Sequence, residues 1–165
     1  MIFVTVGTHE QQFNRLVEYI DKLKENGKIK DEVIIQTGYS TYRPQYCTWK
    51  QWFSYSEMID NVKKAEIIIT HGGPSSFIMP IQIGKIPIVV PRRCEFNEHV
   101  NNHQFDFIKV VSERMGTIIP VYDIETLIDI IKNYKIISSS MECNVCYNTL
   151  KFNQELEKIV GEMFD

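Results

Sequence analysis

Ile67-Ile68-Ile69-Thr70-His71-Gly72-Gly73-Pro74-Ser75-Ser76 is the stretch whose reading decides the fold. Three isoleucines in a row form a short apolar run of the kind buried on both faces of a sheet. The glycine pair then breaks the strand, and Pro74 suits the first position of a helix, where no backbone donor is needed. The unit therefore reads as strand, tight turn and helix N-terminus. Glycine lets a ligand approach the backbone, and the first N–H groups of a helix are unpaired and carry partial positive charge. With the hydroxyls of Ser75 and Ser76 added, phosphate or pyrophosphate is the natural occupant.

Outward from this unit, strand and helix signals alternate along the whole chain. Residues 2–6 and 33–36 are β-branched runs ending at Gly7-Thr8 and Thr37-Gly38. Phe13, Leu16, Val17, Ile20 and Leu23 recur at helical spacing, with Gly27 placed to stop that helix. His9 and Glu10 are read as its start. Residues 39–52 are aromatic and polar, and predict a loop with a short strand near residues 49–53. Trp52 or Phe53 is expected to be buried. Ser56 is expected to cap a helix through Lys64, with Ile59 and Val62 facing inward. A strand at residues 87–90, a helix over 100–113, a strand at 116–120 and a helix from Asp123 to Lys132 follow. Leu156, Ile159, Val160 and Met163 give residues 142–163 the pattern of a last amphipathic helix. Such alternation predicts an α/β fold: a Rossmann-like parallel sheet with helices on both faces, in a single domain over residues 1–165. Ligands of such sheets bind at the carboxyl ends of the strands, where every unusual turn of this chain lies.

Composition sets the remaining bounds. The 165 residues, 44% of them hydrophobic, suffice for one packed core. A net charge of −3 argues against a nucleic-acid partner. No apolar run approaches the ~18 residues of a membrane span, and residues 1–6 read as a strand, not a signal peptide. A cytoplasmic location is expected. Cys143 and Cys146 form a lone CxxC, which reads as two reduced thiols more readily than as a zinc or redox pair. His99 and His103 stand four apart without a third ligand, so no metal is expected. The chain also lacks a GxGxxG after its first strand, which argues against a dinucleotide enzyme.

The order Phe3-Val4-Thr5-Val6-Gly7-Thr8, Ile35-Gln36-Thr37-Gly38, Ile69-Thr70-His71-Gly72-Gly73, Gly84-Lys85-Ile86-Pro87-Ile88-Val89-Val90-Pro91-Arg92 and Glu98-His99-Val100-Asn101-Asn102-His103-Gln104 resembles a known domain. It is similar to the C-terminal, donor-binding domain of glycosyltransferase family 28, and most like the stand-alone small subunits of bipartite exopolysaccharide and capsule enzymes. The resemblance covers roughly residues 1–132. It implies half of a GT-B enzyme that binds a uridine diphosphate sugar, needs no cofactor or metal, and transfers the sugar with inversion. It further implies a lipid-linked sugar acceptor and a membrane-anchored partner subunit holding the acceptor site, which would place this chain at the inner face of the membrane. Galactosyl transfer is the favoured version, and the last helix is a possible docking element. A non-catalytic subunit that activates a partner is the alternative.

By the same resemblance Gly72, Gly73, Pro74, Ser75 and Ser76 hold the diphosphate. Asn102 and Gln104 bond sugar hydroxyls, Tyr55 lies by the uracil, and Gly7 and Thr8 face the same cleft. Many relatives carry a ribose-binding glutamate near the position of Met79; Glu98 is the candidate replacement. His9, His71 and Glu98 are the candidate catalytic residues. Three of these features have a plainer reading: His71 as a strand-end histidine satisfied by backbone, the glycine pair as a packing device, and His9 as a solvated side chain. Arg92 and Arg93 either neutralise phosphate or form an ordinary exposed pair.

Overall fold

The structure, a computed structural model, describes residues 1–141. The expected last helix and the Cys143–Cys146 pair lie outside those residues. Six strands and six helices follow one another as β1 (Ile2–Thr5), α1 (Asn14–Glu25), β2 (Val33–Gln36), β3 (Thr48–Lys50), α2 (Tyr55–Lys64), β4 (Ile67–His71), α3 (Pro74–Gln82), β5 (Ile88–Val90), α4 (His103–Met115), β6 (Ile119–Pro120), α5 (Leu127–Lys132) and α6 (Tyr134–Ser139). All pairings are parallel, in the order β3-β2-β1-β4-β5-β6. The order reverses between β1 and β4. That reversal opens a crevice at the carboxyl ends of these two strands.

Alternation along the strands builds apolar packing on both faces of the sheet. Ile2, Val4, Ile67 and Ile69 face α1 and α5, meeting Leu16, Val17, Ile20 and Leu127. Phe3 and Ile68 face the opposite way, against Val62 and Ala65 at the end of α2. Val89 packs with Phe77 and Ile81 of α3 and with Ile108 and Val111 of α4. Each fully buried isoleucine, leucine, valine or phenylalanine contributes about 1.5–3 kcal/mol. The sheet is thus covered on both sides, which is why β4 can be apolar at successive positions.

Local expectations fail in instructive places. The cap of α2 is Ser54, whose hydroxyl accepts from Glu57 N–H while the Glu57 carboxylate accepts from Ser54 N–H. This reciprocal box at spacing three outcompetes Ser56. His9 and Glu10 precede α1, which begins at Asn14 after an irregular segment. Residues 99–102 precede α4, so His99 and His103 do not share a helical turn. Trp52 and Phe53 are both half-buried at the sheet edge. Asp123 caps a short 3₁₀ turn that runs into α5, and α6 was not expected. Among the described residues no helix is long and apolar enough to cross a membrane.

The long aromatic loop after β2 owes its shape to one carboxylate. Asp21, on the buried side of α1, accepts from Gln45, Tyr46 and Cys47 N–H at 2.8–2.9 Å and from the Tyr42 hydroxyl at 3.0 Å. Burial pushes its pKa up, but the N–H groups of Gln45 and Tyr46 and the Tyr42 hydroxyl outweigh it and hold the carboxyl below its ordinary value. The unfolded chain therefore binds the extra proton, so stability rises with pH through that window. The contribution is complete above the unfolded value of ~3.9 and disappears as pH falls through the folded one. Asp21→Asn keeps one acceptor oxygen and turns an NH2 toward donors. It is expected to cost about 2–3 kcal/mol at neutral pH, seen as a lower urea midpoint. The difference from wild type should shrink on acidification, and equal midpoints at pH 7 would show that Asp21 does not hold the loop.

Candidate functional site

A cleft of about 810 Å³ lies over the β1–β4 crevice. Its walls include Gly7, Thr8, His9, Tyr55, His71, Ser75, Ser76 and Gln104, all singled out in the sequence. β1 delivers Gly7 and Thr8, and β4 delivers His71. Pro74 occupies the first helical position of α3, so Ser75 and Ser76 stand in the first turn at the cleft edge. No side chain caps this helix end, which leaves the N-terminal dipole directed at the cavity.

The turn itself is shaped by His71. Its ring is 6% exposed and lies between two glycines. A Cβ built on Gly7 would sit 2.2 Å from its Nε2, and one on Gly73 would sit 2.2 Å from its Cε1. Nδ1 accepts from Gly73 N–H at 3.0 Å, and Nε2 lies 2.8 Å from Ser76 Oγ. Burial, then the nearby charge of Arg92, lowers its pKa to about 4, so the ring is neutral at physiological pH. Both nitrogens are committed to the protein. The plainer reading of His71 is therefore the one the geometry favours over direct phosphate contact.

Arg92 and Glu98 are corrections. Both are 0% exposed, whereas a phosphate or ribose ligand needs an accessible face. The Arg92 guanidinium donates to the carbonyls of Val6, Gln11, Gln12 and Glu98 at 2.8–3.0 Å and lies 4.9 Å from the centre of the Phe13 ring. Burial lowers its pKa to about 10, while Glu98 pulls it back up; it stays charged. Glu98 receives a two-pronged pair from Arg15, both bonds 2.9 Å, and accepts from Arg93 N–H at 3.1 Å. Arg15 lies 83 residues away and carried no signal in the sequence. Arg93 is half-buried and pairs with Glu95 at 2.7 Å.

Gln104 and Asn102 separate. Gln104 Oε1 accepts from Gly72 N–H and Arg92 N–H at 3.1 and 3.2 Å, tying the glycine turn to the exit of β5 while its side chain lines the cleft. Asn102 precedes α4, accepts from Cys94 N–H at 3.0 Å, and is not part of the cleft wall. Gly72 and Pro74 border a neighbouring apolar groove with Phe107 and Val110. Gly73 is half-buried against His71. His9 does reach the cleft; its ring stacks on His99 at 4.7 Å and bonds Gln11 Oε1 at 2.8 Å. Burial, then His9 and Arg92, keep the His99 pKa low.

Several lining residues were not proposed as site residues: Thr5, Glu10, Gln36, Tyr39, Phe53, Met58, Val62 and Met79. Gln36 had a signal, being a polar residue at the end of an apolar strand, beside Thr37-Gly38. Met58, Val62 and Met79 become neighbours only once α2 and α3 pack side by side. One side of the cleft is consequently apolar, through Phe53, Met58, Val62 and Met79, and the other is polar. Among the described residues no group of three metal-ligating side chains occurs.

The reassignment of Arg92 has a direct check. Arg92→Met strips four carbonyls of their donor and is expected to cost ~3 kcal/mol or more in urea unfolding. A variant of wild-type stability with weakened anion binding would restore Arg92 as a ligand.

Comparison with known proteins came to the same fold. The glycosyltransferase of kitacinnamycin matches with a TM-score of 0.50 and 15% identity over 84% of this chain. SnogD from Streptomyces nogalater matches with a TM-score of 0.48 and 17% identity over 85%. The chain spans only 35% and 39% of those two proteins. No curated protein matches. Residues 1–139 match the glycosyltransferase family 28 C-terminal domain, the part of the chain that carries the sheet, the glycine turn and the cleft. The chain therefore belongs to the glycosyltransferase family 28 C-terminal domain family.

Proposed function

We propose that this domain holds the uridine diphosphate sugar of an inverting glycosyltransferase. The observation that carries the reading is the uncapped N-terminus of α3, with Ser75 and Ser76, facing Gly7 and Thr8 across the β1–β4 crevice. That arrangement suits a diphosphate, through two hydroxyls and the helix dipole. The nucleoside then lies toward the apolar wall of Phe53, Met58 and Met79, with Tyr55 at the mouth.

The chemistry follows from where charge develops. When the glycosidic bond breaks, its electron pair stays with the diphosphate oxygen, and groups already aimed there bind the transition state more tightly than the donor. The incoming hydroxyl loses its proton to a base on the acceptor side. His9 and Glu10 border the cleft, and His9 is the candidate on this chain for that side. The acceptor in our reading is a lipid-linked sugar, held by a membrane-anchored second chain in exopolysaccharide or capsule synthesis, with galactose as the transferred sugar. Supporting a donor-side role, residues 1–139 match the C-terminal domain of glycosyltransferase family 28. Met79 in the nucleoside wall favours one alternative, a non-catalytic activating subunit, because it cannot hydrogen-bond a ribose.

Calorimetric titration separates the readings. UDP and UDP-galactose are expected to bind and NAD is not. Ser75→Ala, at an exposed position of the cleft, should weaken UDP about tenfold, the loss of one hydrogen bond to a charged group. With the partner added, UDP-galactose should be consumed faster than UDP-glucose or UDP-N-acetylglucosamine. Absence of any nucleotide binding, with or without the partner, would sink the donor reading and leave the activator.

A further inference from the structure

His71 borders the cleft but is nearly enclosed, and it touches the Ser76 hydroxyl in the first turn of α3. Two bonds determine its protonation. Gly73 N–H donates to Nδ1, so that nitrogen carries no hydrogen. A neutral ring must then carry its hydrogen on Nε2, which lies 2.8 Å from Ser76 Oγ. The Ser76 oxygen accordingly accepts from the ring, and its own hydrogen is turned away from His71. Gly7 and Gly73 both lie so close to the ring that a Cβ on either would strike it.

We infer that His71 is a positioning residue that makes Ser76 an obligate hydrogen-bond donor toward a phosphate oxygen in the cleft. This rests on the diphosphate reading of the cleft and adds to it a cause for anion preference. A serine hydroxyl in water donates or accepts with equal ease. With one lone pair filled by an imidazole N–H, this one is biased to donate, and it needs no reorientation when an anion arrives. The ring works only while neutral. A second proton on Nδ1 would face the Gly73 N–H and break the turn. Burial and then the charge of Arg92 oppose that proton, with His9 and His99 adding to them, and together they outweigh the side chain of Gln104, which favours it.

Two variants split the functions of the two nitrogens. Asn at position 71 can keep an acceptor for Gly73 N–H but does not reach Ser76. Gln can reach Ser76 with an N–H but loses the acceptor near Gly73. His71→Asn and Ser76→Ala are each expected to weaken UDP binding about tenfold, and the double variant no further, because both remove the same donor. His71→Gln is expected to retain most of the affinity while losing stability. Wild-type affinity in His71→Asn, or a roughly hundredfold loss in the double variant, would overturn the proposal. The ring is also observable without ligand, by nitrogen-15 spectra of wild-type protein. Those should show a bare Nδ1 and a protonated Nε2 at neutral pH, with titration only near pH 4. The opposite tautomer, or a charged ring at pH 7, overturns the inference even in a protein that binds no UDP. If the spectra agree and wild type still ignores UDP, the donor reading falls and the tautomer stands.

Discussion

A single buried guanidinium ties together the segments that border the cleft. Arg92 bonds the last carbonyl before Gly7, two carbonyls of the segment leading to α1, and the carbonyl of Glu98 ahead of α4. Removing such a charge from water costs several kcal/mol, and its Nε finds no partner among the described residues. The cost is offset in three ways: four carbonyl acceptors, the face of Phe13, and the buried carboxylate of Glu98, itself neutralised by Arg15. What results is positive charge behind the glycine turn. It acts on the cleft without touching a ligand: behind burial, the larger cause, it helps keep His71 neutral, and it adds to the field of the α3 N-terminus.

The same constraint changes what the glycines mean. Gly7 and Gly73 would be natural in any phosphate loop, but here each is required first by an imidazole ring that a Cβ would strike. Gly7 also has φ +74, a conformation that side-chain-bearing residues rarely adopt. The turn is thus packed around its histidine, and exposure to ligand is left to the residues that follow it. That division explains why Ser75 and Ser76 border the cleft while His71 stays nearly enclosed.

The fold was legible because its signals are local. Apolar strand runs, a glycine turn and a proline at a helix start each act over a few residues, and their alternation dictates a parallel sheet. The cleft edge formed by Gly7, Thr8, Ser75 and Ser76 was legible for the same reason, since two follow the end of β1 and two open the helix after β4. Arg92 and Glu98 were misread because burial of a charge depends on partners far away in the chain. Nothing within ten residues of Glu98 announces Arg15. The apolar wall was missed on similar grounds: Met58, Val62 and Met79 meet only through the packing of α2 against α3. Ser54 was the opposite failure. Its capping box with Glu57 is written in the sequence at the correct spacing.

The two-sided character of the cleft bears on how a ligand would lie. One end presents the first turn of α3 with the hydroxyls of Ser75 and Ser76; the other presents Phe53, Met58, Val62 and Met79. A free phosphate would leave the apolar side wet, and an apolar ligand would leave the helix dipole unanswered. A molecule with a flat, weakly polar head joined to a diphosphate satisfies both ends at once. Under the proposed reading the sugar then projects past the diphosphate toward Thr8, His9 and Glu10, where the cleft opens to solvent. The reacting carbon would therefore sit at the rim, within reach of an acceptor carried by another surface. Under that reading the domain would fix the leaving group, and the nucleophile would be brought to it.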